Sequence, residues 1–440
     1  MPTTLLDGTP FKHSLSPKEL GEALAMVKEA RTSTHKLVKA HAKAVKSGNE
    51  PLQQELLEKL IYAPEPILAS AIAANKKLKP SKRQTLDRCL AMPSLLDFSE
   101  PLSETVPVRA QPKKSGGVRM LHNPGLMHRT SQQLVLRVMG MRYRPRAFQF
   151  THIGVQAAIA KMKKAIMSEH VHIARLDIKD FYVSFDPVEL APELPLPKEV
   201  VEHAVTGRHM KVVLDQSVKQ KLHAPLSLPT HEHLLQVARL GIPQGSSCSP
   251  IIGMFCMSRL AWSSWKGVVL VNYADDFCLL AKSPKLLDKA IAELTDAVAN
   301  LPGGHFQLKL LQVGHIDKGV EFLGHCLRRV DGDLITSAST SNVQGLYKKL
   351  NDLDIAIGKA AYPPGKFNPT AGWRFLAEMI VFTNGWKAAF SECDDLDRYL
   401  PAYSEAIAKW TGTLGVKPEQ LITKYDESML YEPDVYTLGK

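Results

Sequence analysis

The sequence predicts an α+β fold in which an antiparallel sheet is backed by helices. Residues 268–282 contain two apolar runs that are rich in β-branched and aromatic side chains, and only Ala-Asp-Asp separates them, the pattern of a tight β-hairpin. Residues 171–185 begin with another strand-like run. Apolar side chains recur at helical spacing in residues 284–300 and again from about residue 340. The chain is therefore predicted to contain both strands and helices, as an α+β fold does.

Composition indicates a globular protein with a polyanionic partner. The chain has 440 residues, of which 45% are hydrophobic, enough for two or three domains with real cores. No apolar run reaches the roughly 18–20 residues of a membrane span, and the N-terminus lacks the layout of a signal peptide, so we expect a cytoplasmic protein without membrane attachment. The six cysteines form no CxxC pair, so neither a disulfide framework nor a zinc site is indicated. The net charge of +11 fits a polyanionic partner.

The first hundred residues predict a helical extension. Ser16 and Glu19 form a capping box with proline at the first helical position, and the helix should run to about Lys46. Its lysines fit either a solvated face or a surface for an RNA backbone.

Residues 106–123 predict a basic β-hairpin around Ser-Gly-Gly, and 126–140 predict an amphipathic helix.

Three carboxylates indicate a metal site. Asp275 and Asp276 lie between two apolar runs, where neighbouring like charges are costly unless a cation offsets them. Asp177 ends the strand-like run of residues 171–185. If that strand pairs beside the hairpin, Asp177 faces Asp275, and the two can bridge a pair of Mg²⁺ ions that stabilise the attacking and leaving oxygens of a phosphoryl displacement.

Four motifs in order resemble those of reverse transcriptases. DIKDFY at 177–182, GIPQGSSCSP at 241–250, YADD at 273–276 and EFLG at 321–324 resemble motifs A, B, C and E. The similarity is greatest to the bacterial group II intron, retron and defence-associated types, and it covers roughly residues 105–330.

The resemblance implies a right-hand polymerase. Residues 1–100 would be the N-terminal helical extension, 101–330 the fingers and palm, and 331–440 the helical thumb with the C-terminal region. The reaction would be attack of a primer 3′-hydroxyl on the α-phosphate of a deoxynucleotide, with RNA as template. Two Mg²⁺ ions are the implied cofactors, with Mn²⁺ as an alternative.

The resemblance also assigns roles to individual residues. The catalytic carboxylates and metal ligands would be Asp177, Asp275 and Asp276, joined by the carbonyl of Ile178. Nucleotide-binding roles fall to Lys113 or Lys114, Arg119, Tyr182, Gln244 and Gly245, and the primer grip to Phe322, Leu323 and Gly324. Tyr182 is placed to exclude a ribose 2′-hydroxyl. Gln312 stands where motif D has a lysine, and Lys309 could replace it only in a shifted register.

Several alternatives stay open. The same carboxylates would serve template-independent or self-primed DNA synthesis, or an RNA-dependent RNA polymerase, and a non-catalytic RNA-binding scaffold is a third option. The expected partners are an RNA template, a DNA or RNA primer and dNTPs, with a dedicated structured non-coding RNA as a further option. No nuclease or integrase is recognisable after the thumb, which favours a retron-like or antiviral defence role. The oligomeric state, the insertion 187–238 and the acidic tail carry no readable signal.

Overall fold

The computed structural model describes residues 3–4, 10–11, 13–78, 82–113, 117–215, 230–263 and 265–421. Three parts of the sequence considered above lie outside the described residues: Lys114 in the hairpin tip, residues 216–229 of the insertion, and the acidic positions from Glu427 onward.

Helices occupy most of the described chain. They are α1 (Pro17–Ser47), α2 (Glu50–Tyr62), α3 (Pro64–Lys76), α4 (Leu86–Leu90), α5 (Met92–Leu95), α6 (Leu126–Arg142), α7 (Val155–Met167), α8 (Pro187–Leu190), α9 (Lys198–Val200), α10 (His231–Ala238), α11 (Ser249–Met257), α12 (Pro284–Ala299), α13 (Thr340–Ala361), α14 (Pro369–Ala389) and α15 (Leu400–Leu414). None of the helices within the described ranges is both long enough and apolar enough to cross a membrane.

Within the described ranges, the strands form four small sheets. They are β1 (Thr3–Thr4), β2 (Pro10–Phe11), β3 (Val106–Pro112), β4 (Val118–His122), β5 (His172–Ile178), β6 (Val212–Leu214), β7 (Val268–Tyr273), β8 (Asp276–Ala281), β9 (Leu308–His315), β10 (Val320–Phe322), β11 (His325–Val330) and β12 (Asp333–Ala338). The sheet orders are β1-β2, β4-β3-β6, β7-β8-β5-β9 and β10-β11-β12. The α+β class predicted from the sequence is confirmed.

The chain divides into two compact units that interleave along the sequence. The first contains Met1–Arg146, Ile178–Ala261 and Asp296–Gln307, and the second contains Ala147–Asp177, Trp262–Thr295 and Leu308–Lys440. The sequential division into extension, fingers with palm, and thumb stays a prediction.

In the first unit, α1 begins where the capping box predicts. The Ser16 hydroxyl accepts a hydrogen bond from the Glu19 backbone N–H, and the Glu19 carboxylate accepts one from the Ser16 backbone N–H at 2.8 Å. The predicted basic hairpin is β3 paired antiparallel with β4. Its inner face packs Val106, Val108 and Met120 into a buried cluster, so the hairpin is anchored by burial on one side.

In the second unit, the sheet β7-β8-β5-β9 is the central element. β8 pairs antiparallel with both β7 and β5, so the predicted hairpin and the strand of Asp177 are direct neighbours. α7 covers the sheet with Ile159 and Ile166, which share a buried cluster with Val271 and Leu280. A separate core holds α13, α14 and α15 together.

Candidate active site

The three carboxylates meet at one end of the central sheet. β7 ends at Tyr273, Ala274 and Asp275 make the turn, and β8 begins at Asp276. Ala274 has a positive φ of 54°, and its N–H donates to the Thr151 hydroxyl at 2.8 Å. The turn is therefore held in place by a side chain of the same unit.

The register differs in detail from the sequence expectation. The residue directly opposite Asp177 in the ladder is Asp276, whereas Asp275 was expected to face it. The reason is that β8 begins one residue earlier than the apolar pattern indicates, so Asp276 takes a paired position and Asp275 stays in the turn. Both carboxylates still act on Asp177 electrostatically.

Burial and mutual repulsion make the ionised carboxylates costly. The pKa of Asp177 is raised to about 6, first by burial, then by the charges of Asp275 and Asp276. Burial, followed by the charge of Asp275, also raises the pKa of Asp276. Arg175 and Lys309 oppose the shift at Asp177. Additional positive charge would therefore stabilise the ionised carboxylates of this site.

Arg175 is a site residue that the sequence reasoning missed. Its guanidinium lies 3.7 Å from the Asp276 carboxylate, and it lowers the pKa of that group. Side chains two residues apart on a strand share a face, so Arg175 and Asp177 lie on the same side of β5. That alternation was readable in the sequence once Asp177 had been singled out.

The donor set fits a hard divalent cation. Carboxylate and carbonyl oxygens are the ligands that Mg²⁺ takes, and Ile178, whose carbonyl is the fourth predicted donor, follows Asp177 directly in β5. Within the described ranges, no three His, Cys, Asp or Glu side chains are grouped closely enough to hold a metal ion on their own. Mg²⁺ usually takes several of its ligands from water and substrate phosphates.

The predicted triphosphate contacts lie in the first unit. Lys113 ends the β3 side of the hairpin, where its N–H donates to the Gly117 carbonyl at 3.1 Å, and its ammonium contacts the Asp180 carboxylate. Arg119 is exposed on β4, opposite Gln111. A basic side chain next to a carboxylate can exchange that partner for a phosphate.

The GIPQG loop draws the remaining nucleotide candidates together. The Ile242 N–H donates to the Tyr182 carbonyl at 2.9 Å, and the His122 N–H donates to the Gln244 carbonyl at 2.7 Å. Gly245 has a φ of 100°, and a Cβ there would lie 2.4 Å from the His122 carbonyl oxygen. Tyr182, Gln244 and Gly245 therefore belong to one cluster with the end of β4. The Gln244 side-chain oxygen is buried without a hydrogen-bond partner in the described chain, so it can accept from a ligand.

His122 is the second residue that the sequence reasoning missed. Its ring Nδ1 lies 3.1 Å from the Gln244 carbonyl oxygen, and its Nε2 lies 2.8 Å from the Ala238 carbonyl oxygen. Burial lowers its pKa, and a neutral imidazole donates to only one of the two oxygens. No local pattern marks His122, because its partners are more than a hundred residues away.

Replacing His122 by alanine should destabilise the protein by about 1–3 kcal/mol, because a buried carbonyl loses its donor. The Michaelis constant for dNTPs should also rise in this variant, since the Gln244 loop loses its contact with the His122 ring. Urea unfolding and nucleotide titrations measure the two effects. His305→Ala, at an exposed position of the same unit, is the matched control. Equal stability of the two variants would contradict a supporting role for His122.

The EFLG segment forms the turn of a β-hairpin in the second unit. β10 pairs with β11, and the turn residues Leu323 and Gly324 both have positive φ. Phe322 is fully buried, so it anchors the turn rather than presenting a ring to a ligand. Gln312 donates to the Gly319 carbonyl at 2.9 Å, whereas Lys309 is close enough to Asp177 to lower its pKa. The primer-grip role stays a prediction.

The chain was compared with solved structures and with curated proteins. Solved structures similar to the chain include telomerase from Candida albicans in complex with a TWJ fragment of telomeric RNA (11% identity, 74% of this chain and 61% of that chain, TM-score 0.32). They also include a C-terminally truncated telomerase from Candida tropicalis (13% identity, 53% of this chain and 55% of that chain, TM-score 0.33). A third is the Sicinivirus 3Dpol RNA-dependent RNA polymerase (8% identity, 74% of this chain and 68% of that chain, TM-score 0.32). The chain spans less than two thirds of these telomerases. No curated protein matches it in sequence.

The sequence profile of one family covers the candidate site. Residues 111–327 match the family described as reverse transcriptase (RNA-dependent DNA polymerase). The match includes the three carboxylates, the GIPQG loop and the EFLG hairpin. Over residues 111–327 the chain is therefore similar to reverse transcriptases, the RNA-dependent DNA polymerases.

Proposed function

We propose that the protein extends a primer 3′-hydroxyl with dNTPs on an RNA template, using two divalent metal ions held by Asp177, Asp275, Asp276 and the Ile178 carbonyl. The observation that carries this proposal is the pairing of Asp177 with Asp276 beside Asp275, with the pKa of Asp177 raised to about 6. Three carboxylates at a sheet end repel one another unless cations join them. Mg²⁺ is the natural ion, and Mn²⁺ is an alternative.

Each group of residues has a separate task in this scheme. Bound metal ions would supply positive charge to the attacking and leaving oxygens. Arg175 opposes the rise in the pKa of both Asp177 and Asp276, which favours their ionised forms. Lys113 and Arg119 would bind the triphosphate, and Lys113 would leave Asp180 to do so. Catalysis then comes from positioning and from charge stabilisation in a fixed site.

Lys309 is the better candidate for protonating the leaving pyrophosphate. Gln312 occupies the expected motif D position, but an amide cannot act as a general acid. Its N–H group already donates a hydrogen bond to the Gly319 carbonyl. Lys309 lies three residues earlier on β9 and acts on Asp177 through its charge. We therefore assign the general-acid role to Lys309 in this proposal.

Tyr182 should select deoxynucleotides. Tyr182→Ala is expected to raise ribonucleotide incorporation relative to deoxynucleotide incorporation by about 10- to 100-fold, because the ring no longer blocks the 2′-hydroxyl. Tyr182→Phe keeps the ring and should keep the preference. Single-nucleotide extension with matched dNTP and NTP measures the ratio. An unchanged ratio in Tyr182→Ala would contradict the gate, and strong ribonucleotide use by the unmodified protein would favour an RNA polymerase.

The biological setting that we propose is a retron-like or antiviral defence system with a dedicated structured RNA, in the cytoplasm. The deciding experiment purifies the protein with its accompanying RNA and sequences both that RNA and the product made with Mg²⁺ and four dNTPs. One discrete RNA, with DNA complementary to part of it, would support the proposal. DNA that matches no template would instead establish template-independent synthesis, and extension of any primed template would indicate a general enzyme.

A further inference from the structure

The connection between α13 and α14 exposes two aromatic rings side by side. Tyr362 is 56% exposed and Phe367 is 47% exposed. Their ring centroids lie 4.9 Å apart, with an angle of 35° between the planes. Large aromatic side chains are usually buried, because their burial contributes strongly to stability. We name residues 362–368 the aromatic loop.

Backbone hydrogen bonds hold the aromatic loop in one shape. The Tyr362 N–H donates to the Gly358 carbonyl at 2.9 Å, and the Asn368 N–H donates to the Ala361 carbonyl at 2.7 Å. A turn inside the loop is closed by Lys366, whose N–H donates to the Pro363 carbonyl at 3.1 Å. Two prolines further restrict the backbone. The rings are therefore presented by a pre-organised loop, which lowers the entropy cost of binding.

The sequence on either side of the aromatic loop carries only positive charge. Residues 355–377 contain no Asp or Glu, whereas Lys359, Lys366 and Arg374 are all exposed. The flanking carboxylates are engaged elsewhere: Asp354 accepts from Lys409 and Trp410, and Glu378 pairs with Lys349. Lys359 lies in the last turn of α13, three residues before Tyr362, which directly follows the end of that helix. The ion pairs of this part of the described chain are Lys349–Glu378 and Lys409–Asp354, and neither includes one of these three cations.

We propose that the aromatic loop binds single-stranded nucleic acid, with an unpaired base stacked on the Tyr362–Phe367 pair and the backbone phosphates contacted by Lys359 and Lys366. Exposed aromatic faces beside unpaired cations are the features that single-strand binders use. A duplex hides its base faces, so a single strand fits this surface better. The proposal does not depend on catalysis, because binding occurs without nucleotides or metal.

The first test compares two double variants. A labelled, unstructured 12-nucleotide RNA is titrated with the unmodified protein, with Tyr362→Ala/Phe367→Ala, and with Tyr362→Phe/Phe367→Tyr, and anisotropy reports the Kd. The alanine variant should weaken binding roughly ten-fold or more, whereas the variant that retains both rings should bind within two-fold of the unmodified protein. Binding of a hairpin-capped duplex should change less than two-fold. Unchanged single-strand binding, or an equal loss for the duplex, would overturn the proposal.

The second test isolates the charges. Lys359→Gln/Lys366→Gln should reduce the slope of log K against log salt by about 1.4, since two phosphate contacts are lost. Lys285→Gln/Lys417→Gln removes the same charge at exposed positions outside the loop and should leave the slope unchanged. Equal changes in both variants would refute a local site.

Two further controls keep the outcome readable. If the alanine variant melts early, a 4-thiouridine RNA cross-linked to the unmodified protein must attach at Tyr362 or Phe367, and cross-links found only elsewhere would overturn the proposal. Asp288→Asn, which removes a carboxylate at an exposed position of α12, should bind the same RNA with unchanged Kd. A failed aromatic-loop test is therefore distinguishable from a failed polymerase assignment, which Asp177→Asn tests through extension.

Discussion

Asp177→Asn should abolish primer extension and at the same time stabilise the metal-free protein. Extension should fall at least about a thousand-fold, because the amide cannot replace a carboxylate as a ligand or as a charge in the site. Without metal, the variant should gain about 1–2 kcal/mol at pH 8, after allowance for solvent screening of a partly exposed group.

The pH dependence of that gain has a definite sign. The pKa of Asp177 is raised from 3.8 to about 6 in the folded protein, so the unfolded chain loses its proton first as the pH rises. The cost of the ionised carboxylate is absent below about pH 4, grows between pH 4 and 6, and is constant above pH 6. The stabilisation by asparagine should follow the same course.

Thermal unfolding with and without Mg²⁺ measures both halves of the prediction. Mg²⁺ should stabilise the unmodified protein and have a smaller effect on Asp177→Asn, since a ligand stabilises only a state that binds it. Asp288→Asn makes the same chemical change at an exposed position of α12 and should leave extension and Mg²⁺ stabilisation intact. If Asp177→Asn extended primers normally, the catalytic assignment would fail, and a scaffold role would be favoured.

Gly245→Ala should force the GIPQG loop away from β4. The backbone at Gly245 has a φ of 100°, and the new Cβ would lie 2.4 Å from the His122 carbonyl oxygen. A backbone oxygen cannot rotate away like a side chain, so the loop must leave β4. We expect a loss of at least about 2 kcal/mol in unfolding free energy and a higher Michaelis constant for dNTPs.

Gly385→Ala is the control for that experiment. Gly385 lies within α14, has no positive φ, and a Cβ there would meet nothing within 4 Å. The same methyl group should therefore stabilise the protein by about 0.5–1 kcal/mol, because alanine favours the helix. Urea unfolding of both variants gives the comparison. Similar free energies for the two would show that Gly245 is not pressed against His122.

Local signals predicted the elements well. The capping box at Ser16 set the start of α1, and 3-4 spacing of apolar residues predicted α13, whose Leu346, Leu350, Leu353 and Ile357 are buried. The strands beside Asp275 and the basic hairpin were readable from β-branched runs and turn residues. These features depend on side chains a few positions apart, so one sequence window contains the information that determines them.

The sequence by itself predicted the α+β class, the hairpin of β7 and β8, the basic hairpin and the starts of α1 and α13, and it singled out the three carboxylates through four ordered motifs. Only the tertiary structure decided that Asp276 stands opposite Asp177, and that the Arg175 guanidinium lies 3.7 Å from the Asp276 carboxylate. It also decided that His122 supports the Gln244 loop. Register and long-range contacts depend on how distant segments pack. A one-residue shift along a strand reverses the side-chain face, and His122 and Gln244 are separated by 122 positions, so no local pattern specifies these contacts.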